Sequence, residues 1–230
     1  MTALPPLETI VTPPRAVPQS SSGCLALLHG YGANAADLLP LRDAIAPGWT
    51  AVAAQAPFDL GPAGMPGGRA WFHIAPDATG GFRLDLNGAR EALTQLAEEL
   101  PSAIEQAGCR IENTVVLGFS QGAMLGHALL LHERLPVRGL AGCSGRIVPE
   151  IFGSGEGLPD GVPVFLSHGT HDELIPVTSG HAIRAFYEEN TPARVTWCEE
   201  PVGHGIGPVT LQRLRDWCDR LERPEGTPAP

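Results

Sequence analysis

Short apolar runs alternate with longer amphipathic stretches along most of the chain. Several short runs are apolar almost throughout, which is typical of central strands of a parallel sheet that are buried on both faces. We predict strands over residues 24–29, 50–54, 114–119, 139–143, 162–168 and 194–199. We predict helices over residues 35–45, 86–107, 121–134, 177–189 and 208–221. This alternation predicts an α/β fold with a mostly parallel central sheet and helices on both faces.

The helix predicted over 86–107 shows the clearest helical period. Leu93, Leu96, Leu100 and Ile104 recur at spacings of three and four, which gives one buried stripe. Gly108 follows the stripe and is expected to end the helix, because glycine readily adopts the left-handed conformation of a helix C-terminus. A proline at position 101 predicts a kink or a break within this helix.

Two segments do not fit a strand–helix unit. Residues 57–83 and 146–161 are rich in glycine and proline, and loops of this length often form walls or lids over a functional site. We find no internal repeat and no linker between domains, so residues 1–222 are expected to form a single domain. Residues 223–230 are expected to be a disordered tail.

Charge and composition exclude several classes of partner. The chain has 43% hydrophobic and 17% charged residues, as expected of a compact folded protein, and its formal net charge is −10. All 15 basic residues are arginines and they are scattered, which argues against nucleic acid or an anionic membrane as the main partner. No apolar run approaches the roughly 20 residues that span a bilayer, and the first residues lack the pattern of a secretory signal.

The five cysteines indicate the redox environment. Their number is odd and no CxxC pair occurs, and at least three lie in apolar runs that are predicted to be strands. Buried free thiols are therefore favoured over disulfides or a metal site. A reducing, cytoplasmic location is expected for such a protein.

The motif Gly118-Phe119-Ser120-Gln121-Gly122 carries the sharpest chemical signal. It lies where a predicted strand meets a predicted helix, and a serine in that tight turn projects its hydroxyl above the sheet. The flanking glycines are required because side chains there would collide with neighbouring backbone. Ser120 is therefore predicted to be a nucleophile, and the alternative is a glycine-rich turn with a serine N-cap.

A serine nucleophile needs a base, and in this architecture the acid and then the histidine follow the serine in the chain. Asp172 comes just after the strand 162–168, at the sheet edge where ligands bind, and Glu173 is an adjacent alternative. His204 lies between two glycines after the strand 194–199, which lets a loop place its ring over Ser120. His181 is an alternative base, although it falls at the start of a predicted helix.

Acyl transfer also requires donors for the oxyanion of its tetrahedral intermediate. The backbone N–H of Gln121, directly after the nucleophile, is one expected donor. The segment LLHGYG after the first strand is expected to supply the other, and by position we choose the Tyr31 amide. His29 in this segment is interpreted as a positioning residue of the loop.

Four other residues have less decisive positions. Trp71 and Phe72 lie in the 57–83 segment, where they either line a substrate pocket or anchor the loop to the core. Met124 and His127 follow Ser120 on the predicted helix, and we expect them to be packing residues.

These motifs together resemble the small carboxylesterase/phospholipase family of α/β-hydrolases, which includes the acyl-protein thioesterases. The shared motifs are LLHGYG, AWFHI, GFSQGA, the HGxxDxxxP run from His168 to Pro176, and GHGI, in the family's order. The resemblance extends from about Cys24 to Trp217. It implies a minimal core with no large cap domain, no metal and no cofactor, and it is compatible with a homodimer.

The resemblance also supports site residues. It implies Ser120, Asp172 and His204 as a catalytic triad, with Tyr31 and Gln121 as backbone donors to the oxyanion. The sequence departs from the family pattern at the oxyanion residue, which is usually apolar, and at an alanine in position 33, where an acidic residue is common. A further alanine at position 123 replaces a frequent second glycine. These departures concern substrate preference rather than chemistry.

The function expected from these residues is hydrolysis of short- to medium-chain carboxylic esters through an acyl-enzyme. Hydrolysis of acyl-protein or small acyl thioesters uses the same residues and is the alternative, because only the leaving group differs. A third hypothesis is a non-catalytic binding protein on the same fold. That hypothesis is disfavoured because such proteins are expected to lose a member of the triad, whereas this chain has all three.

Overall fold

A single central sheet and the helices on its two faces contain most of the regular structure. The computed structural model describes residues 4–15, 23–77 and 82–222. The sheet strands are β1 (Thr9–Thr12), β2 (Cys24–Leu28), β3 (Thr50–Ala54), β8 (Thr114–Phe119), β9 (Gly139–Cys143), β10 (Pro163–Gly169) and β11 (Arg194–Glu200). The helices are α1 (Leu39–Ile45), α2 (Leu86–Gln106), α3 (Gln121–Leu131), α4 (Pro149–Phe152), α5 (Val177–Asn190) and α6 (Pro208–Glu222). Two small ribbons pair β4 (Phe58–Asp59) with β5 (Arg69–Ala70), and β6 (Ile74–Pro76) with β7 (Phe82–Leu84).

The spatial order of the central strands is β1-β3-β2-β8-β9-β10-β11, and every pair except β1–β3 is parallel. The predicted mostly parallel sheet with helices on both faces is confirmed. Parallel strands point the same way, so β2, β8, β10 and β11 all end at one edge of the sheet. That edge collects the chemically reactive residues.

Two apolar layers hold the helices against the sheet. In β2, Cys24, Ala26 and Leu28 pack into the layer under α2, α3 and α5, while Leu25 and Leu27 pack into the layer under α1 and α6. All five side chains of this strand are buried, because successive residues of a central strand face opposite covered sides.

The edge strand β1 was not predicted from the sequence. It is four residues long and pairs antiparallel with β3, and its Ile10 and Val11 are both exposed. Adjacent exposed apolar residues break the alternation that marks a half-buried strand. Only the position of β3 beside it decides that this segment pairs.

Two predicted helices begin or end differently from expectation. Helix α1 begins at Leu39 rather than at residue 35, because the Asp37 amide closes a turn onto the Asn34 carbonyl and the Ala35 amide donates to the Gln55 side chain. Helix α3 ends at residue 131, whereas the sequence predicted an end at residue 134. Arg134 has a φ of 55°. A positive φ in a residue with a Cβ cannot continue a right-handed helix.

Helix α2 is continuous through the proline at position 101, so the predicted break does not occur. Its C-terminus is as predicted: Gly108 has a φ of 76°. The Gly108 amide donates to the Glu105 carbonyl, and the Cys109 amide donates to the Ile104 carbonyl. This pair of bonds is a Schellman motif, and it satisfies the carbonyls that the last turn leaves free.

The segments 57–83 and 146–161 contain more structure than the predicted loops. The first holds both small ribbons and a short 3₁₀ turn (Gly61–Ala63), and the second holds α4. Residues 223–230, which the sequence predicts to be a disordered tail, lie outside the described residues. None of the described helices has the length and apolarity needed to cross a membrane.

Candidate active site

Ser120 occupies the turn between β8 and α3 in a strained backbone conformation. Its φ is 54° and its ψ is −114°, values that a residue with a Cβ rarely adopts. Its amide donates to the Cys143 carbonyl at 2.9 Å, and its carbonyl accepts from the Met124 amide at 3.1 Å. These bonds to the neighbouring strand and the following helix fix the turn, and the turn directs the Ser120 hydroxyl away from the sheet.

The glycines on either side of Ser120 are required by contact with backbone. A Cβ on Gly118 would lie 2.3 Å from the Gly122 carbonyl oxygen, and a Cβ on Gly122 would lie 2.0 Å from the Leu28 carbonyl oxygen. Neither distance is compatible with a side chain. The glycine pattern therefore reflects how closely the start of α3 approaches the end of β2.

Three side chains from separate loops form one hydrogen-bonded line. His204 Nε2 lies 2.9 Å from Ser120 Oγ, and His204 Nδ1 lies 2.7 Å from Asp172 Oδ2. The Asp172 side chain is fully buried, and its Oδ1 accepts from the amides of Leu174 and Ile175. The carboxylate favours a proton on Nδ1, which leaves Nε2 free to accept from the serine hydroxyl.

The competing residues from the sequence lie apart from this line. His181 is exposed on α5 and pairs with Glu199 at 2.6 Å. Glu173 is exposed beside the buried Asp172. The structure thus brings together the preferred acid and base and separates their alternatives from Ser120.

A second histidine packs against the acid. His168 Nε2 donates to the Ile175 carbonyl at 2.8 Å and lies 3.4 Å from Asp172 Oδ2. Desolvation by burial lowers the pKa of His168, so this ring is neutral at pH 7. It holds the loop that carries Asp172 without adding a competing positive charge.

A carboxylate that the sequence interpretation did not single out fixes the loop carrying His204. Glu200 is buried at the end of β11, and its oxygens accept from the amides of Gly207, Val209 and Thr210. Burial disfavours the charged form, but the hydrogen bonds from Thr210, Val209 and Gly207 outweigh it and lower the pKa of Glu200. An acidic residue shortly before a predicted helix was the available sequence signal.

The loop with Tyr31 lies directly against the nucleophile. A Cβ on Gly30 would lie 3.1 Å from Phe119 Cδ1 and 3.4 Å from Ser120 Cβ. Among the described residues, no group accepts a hydrogen bond from the backbone N–H of Tyr31 or of Gln121. Both amides are therefore free to donate to a ligand atom beside Ser120 Oγ.

His29 holds this loop as a positioning residue. Its Nε2 accepts from the Ala56 amide at 3.1 Å, so Nδ1 carries the proton and donates to the Gly30 carbonyl at 2.8 Å. Desolvation by burial lowers the pKa of His29, which keeps the ring neutral and this pattern intact.

The Gln121 side chain connects the two sides of this region. Its Oε1 accepts from the Trp71 amide at 3.1 Å, and its Nε2 donates to the Phe72 carbonyl at 2.9 Å. The Trp71 indole N–H in turn donates to the His29 carbonyl at 2.8 Å. The start of α3, the 57–83 segment and the LLHGYG loop are thereby joined by buried hydrogen bonds.

Trp71 and Phe72 have different surroundings, although the sequence grouped them as substrate-binding candidates. Both are fully buried, but only Phe72 lines the cavity above Ser120. Trp71 packs beneath the cavity against the His29 ring, with ring centroids 5.5 Å apart. Of the two alternatives left open for this pair, the structure places Trp71 as an anchor of the loop and Phe72 in the cavity wall. The Met124 side chain also lines the cavity, whereas His127 is a packing residue bonded to the Tyr187 hydroxyl.

The cavity has a volume of about 660 Å³, and Ser120 and His204 form part of its wall. Most of its other side chains are apolar; they include Leu38, Leu41, Ile74, Leu84, Ile175 and Ile206. These residues come from five separate segments, so sequence spacing gave no signal that they would meet. A volume of this size is within the usual range for small-molecule sites. No group of three or more His, Cys, Asp or Glu side chains able to hold a metal ion occurs in the described part of the chain.

Comparisons with known proteins show the family and the fold of the chain. The family model described as phospholipase/carboxylesterase matches residues 13–221. A probable carboxylesterase of Oryza sativa subsp. japonica is 30% identical over 167 residues, which is 70% of this chain and 70% of that protein. Acyl-protein thioesterase 1 of Kluyveromyces lactis is 32% identical over 123 residues, or 52% of this chain, and the match spans only 54% of the yeast protein. The crystal structure of a Bacillus cereus carboxylesterase superposes with a TM-score of 0.76 at 20% identity and 94% coverage of both chains, which indicates a shared fold.

Proposed function

Because the chain belongs to the phospholipase/carboxylesterase family, we propose that it is a serine hydrolase that cleaves carboxylic esters through a covalent acyl-enzyme. The observation that carries this proposal is the line of hydrogen bonds from Ser120 through His204 to Asp172 in the wall of an apolar cavity. A non-catalytic binding protein has no need of a strained serine aligned with a histidine and a buried carboxylate.

In the proposed first half-reaction, Ser120 Oγ attacks the substrate carbonyl carbon and its proton passes to His204 Nε2. Asp172 stabilises the imidazolium that forms, because its buried oxygen accepts from Nδ1. The bond from the carbonyl carbon to the leaving oxygen then breaks. The leaving group departs as an alcohol after taking the proton from Nε2, and the acyl group stays on Ser120 as an ester.

The tetrahedral intermediate carries a negative oxygen, and we assign its stabilisation to the amides of Tyr31 and Gln121. Both N–H groups are unengaged among the described residues, and the loop holding Tyr31 contacts Ser120. Donors fixed before the reaction need no rearrangement as charge develops, and each contributes about 3 kcal/mol to the transition state.

In the second half-reaction, water replaces the alcohol. His204 removes a proton from the water as its oxygen attacks the acyl carbon. Breaking the bond to Ser120 Oγ releases a carboxylic acid and returns the proton to the serine. The net reaction is ester plus water to acid plus alcohol, and the enzyme is unchanged.

The size and lining of the cavity support short- to medium-chain acyl groups. Each buried methylene contributes about 0.8 kcal/mol, which is about fourfold in affinity, until the apolar wall is covered. Three large apolar side chains at the rim, Met65, Phe82 and Leu174, are exposed and offer further surface to a longer chain.

Thioester hydrolysis is the second candidate, favoured by the match to an acyl-protein thioesterase of Kluyveromyces lactis. The chain spans about half the length of that relative, at 54%, so its substrate is a proposal for this chain. The same serine attack applies, and a thiol takes the place of the alcohol as leaving group. Comparing kcat/KM for an ester and a thioester of the same acyl group separates the two candidates.

The free cysteines and the family resemblance support a proposed location and a proposed assembly. All five cysteines are free thiols, and we propose that the chain functions in the reducing cytoplasm on a small-molecule ester or thioester. Recovery of the chain with exported proteins on cell fractionation would contradict this location. A homodimer, with which the family resemblance is compatible, stays a prediction, and light scattering of the full chain tests it.

Hydrolysis of p-nitrophenyl esters from acetate to palmitate tests the function directly. We expect the wild-type protein to release p-nitrophenol with an optimum at short or medium chains. Ser120→Ala should lower the rate by several orders of magnitude, because no other nucleophile among the described residues is bonded to His204. Ser102→Ala, on the exposed face of α2, serves as the matched serine control and should retain the rate. Equal activity in Ser120→Ala, or none in the folded wild type, would contradict the proposal.

A further inference from the structure

The wall of the cavity carries one permanent positive charge among the described residues, that of Arg146. The remaining charged groups in the wall are Asp37, which is exposed, and His204 when it is protonated. The rest of the wall is mostly apolar, so an opposite charge bound beside Arg146 would be screened less than in bulk water.

Arg146 has no partner in the described part of the chain. No carboxylate lies within ion-pair distance of it, and no oxygen accepts a hydrogen bond from it. It is half-buried. A guanidinium in such a position has five N–H donors in a fixed planar arrangement that matches a carboxylate or phosphate.

The backbone holds Arg146 close to the nucleophile. Strand β9 pairs with β8, and Cys143 at its end lies opposite Phe119 and accepts the Ser120 amide at 2.9 Å. Arg146 follows Cys143 by only three residues, so its backbone lies a short distance along the chain from the contact with Ser120.

The segment around Arg146 is anchored on both sides. Ser144 is buried with a φ of 52° and its amide donates to the Ser167 carbonyl, while Val148 is buried on the other side. A residue with a Cβ in the left-handed region is strained, and such strain is often associated with positioning a functional group. Between these anchors Arg146 and Ile147 are partly exposed, and the arginine side chain reaches the cavity.

We propose that Arg146 determines substrate specificity by binding an anionic group, a carboxylate or a phosphate, on the ester or thioester that enters the cavity. This inference rests on the proposed hydrolase function and narrows its substrate class. Because the whole chain has a formal charge of −10, an anionic substrate is repelled elsewhere, and the unpaired guanidinium supplies local attraction at the site. The opposite charge of Asp37 in the same wall opposes this binding.

The test compares each anionic ester with the neutral compound in which its free carboxylate is a methyl ester. With the charge on the acyl side, p-nitrophenyl hydrogen adipate is compared with its methyl ester. With the charge on the leaving-group side, 4-(hexanoyloxy)benzoate is compared with its methyl ester. For each pair the ratio of kcat/KM, anionic over neutral, is measured in the wild type, Arg146→Gln and Arg146→Lys.

We expect the ratio to fall about 10- to 100-fold in Arg146→Gln in at least one series, as expected for loss of a hydrogen-bonded ion pair. The neutral esters should lose much less kcat/KM than the anionic ones, because they make no ion pair with Arg146. Arg146→Lys should recover part of the ratio, since it retains the charge and loses the planar arrangement of donors. Asp37→Asn should change the ratio in the opposite direction.

Arg213→Gln is the matched control, because it removes the same charge from an exposed position on α6. A ratio unchanged by Arg146→Gln in both series, or lowered equally by Arg213→Gln, would overturn the proposal.

Binding of the same ester pairs to Ser120→Ala, with and without Arg146→Gln, is measured by calorimetry and needs no turnover. Selective binding without Ser120-dependent hydrolysis in the wild type would refute the hydrolase function and retain the anion site. Ser120-dependent hydrolysis of neutral esters without selective binding of the anionic ones would retain the hydrolase function and refute the anion site. The two carboxylate series are repeated with phosphate monoesters of the same length to identify which anion binds more tightly.

Discussion

Three features meet at Ser120: a strained backbone, a hydrogen bond to His204, and two nearby backbone amides without a partner among the described residues. The φ of 54° is maintained because the neighbouring strand and helix bond both ends of the residue. His204 and Asp172 arrive from loops more than fifty residues further along the chain, yet they form consecutive hydrogen bonds with the serine. Because the three residues act together in one proton transfer, removing any one of them should remove most of the contribution of all three.

The residue-scale prediction is therefore non-additivity. Ser120→Ala and His204→Ala should each reduce kcat by roughly 10⁴- to 10⁶-fold, and the double variant should lose little more. Steady-state kinetics on p-nitrophenyl butyrate measures all three. His181→Ala is the matched control, because this histidine is exposed and pairs with Glu199, and its kcat should stay within about twofold. Losses that multiply in the double variant would show that the two residues act independently.

Residue identity in the site was predictable where the chemistry restricts it. The acid and the base follow the serine in a fixed order, and the strand ends leave few candidates. The sequence did not distinguish Trp71 from Phe72, because both are aromatic and adjacent. The difference arises from the indole N–H, which donates to the His29 carbonyl and holds that ring beneath the cavity.

Between elements, the decisive contact is the start of α3 against the end of β2. The Leu28 carbonyl oxygen lies 2.0 Å from the position that a Cβ on Gly122 would take, so the helix can approach the strand only with glycine there. This approach determines the height of Ser120 above the sheet and its distance from the loop holding Tyr31.

The element-scale prediction is that Gly122→Ala is severely destabilising. A Cβ at 2.0 Å from a backbone oxygen forces α3 away from the sheet, and we expect a loss of about 4 kcal/mol or more in the free energy of unfolding. Urea denaturation followed by circular dichroism measures it. Gly205→Ala is the control, because a Cβ there meets nothing within 4 Å, and its stability should change by less than about 0.5 kcal/mol. Equal unfolding midpoints for the two variants would contradict the close-contact explanation.

Across the whole molecule, buried histidines link stability to pH. Burial lowers the pKa of His127 to about 3, and it also lowers the pKa values of His29 and His168. An unfolded histidine binds a proton below its ordinary pKa of about 6.5, whereas the folded ring stays neutral. The unfolded state therefore binds more protons as the pH falls, and the folded state loses stability from pH 6.5 downward.

The whole-molecule prediction concerns His127, which is fully buried and bonded to the Tyr187 hydroxyl. Between pH 6 and pH 4 its titration should cost the wild type about 2 kcal/mol, and His127→Gln should lack this part of the slope. Urea denaturation at intervals of one pH unit provides the measurement. His181→Gln, on the exposed face of α5, should keep the wild-type slope. An identical slope in His127→Gln would mean that this ring is not neutral in the folded state.

The sequence by itself determined the α/β class and the parallel sheet, and it narrowed the hydrogen-bonded line to Ser120, one of two acids and one of two histidines. These features depend on local period, on glycine between strand and helix, and on chain order, all of which are recorded along the chain. Tertiary structure alone decided that β1 pairs at the edge, that Glu200 holds the loop of His204, and that Arg146 faces the cavity. Each of these depends on which segments become neighbours when the sheet assembles, and no spacing in the sequence specifies that proximity.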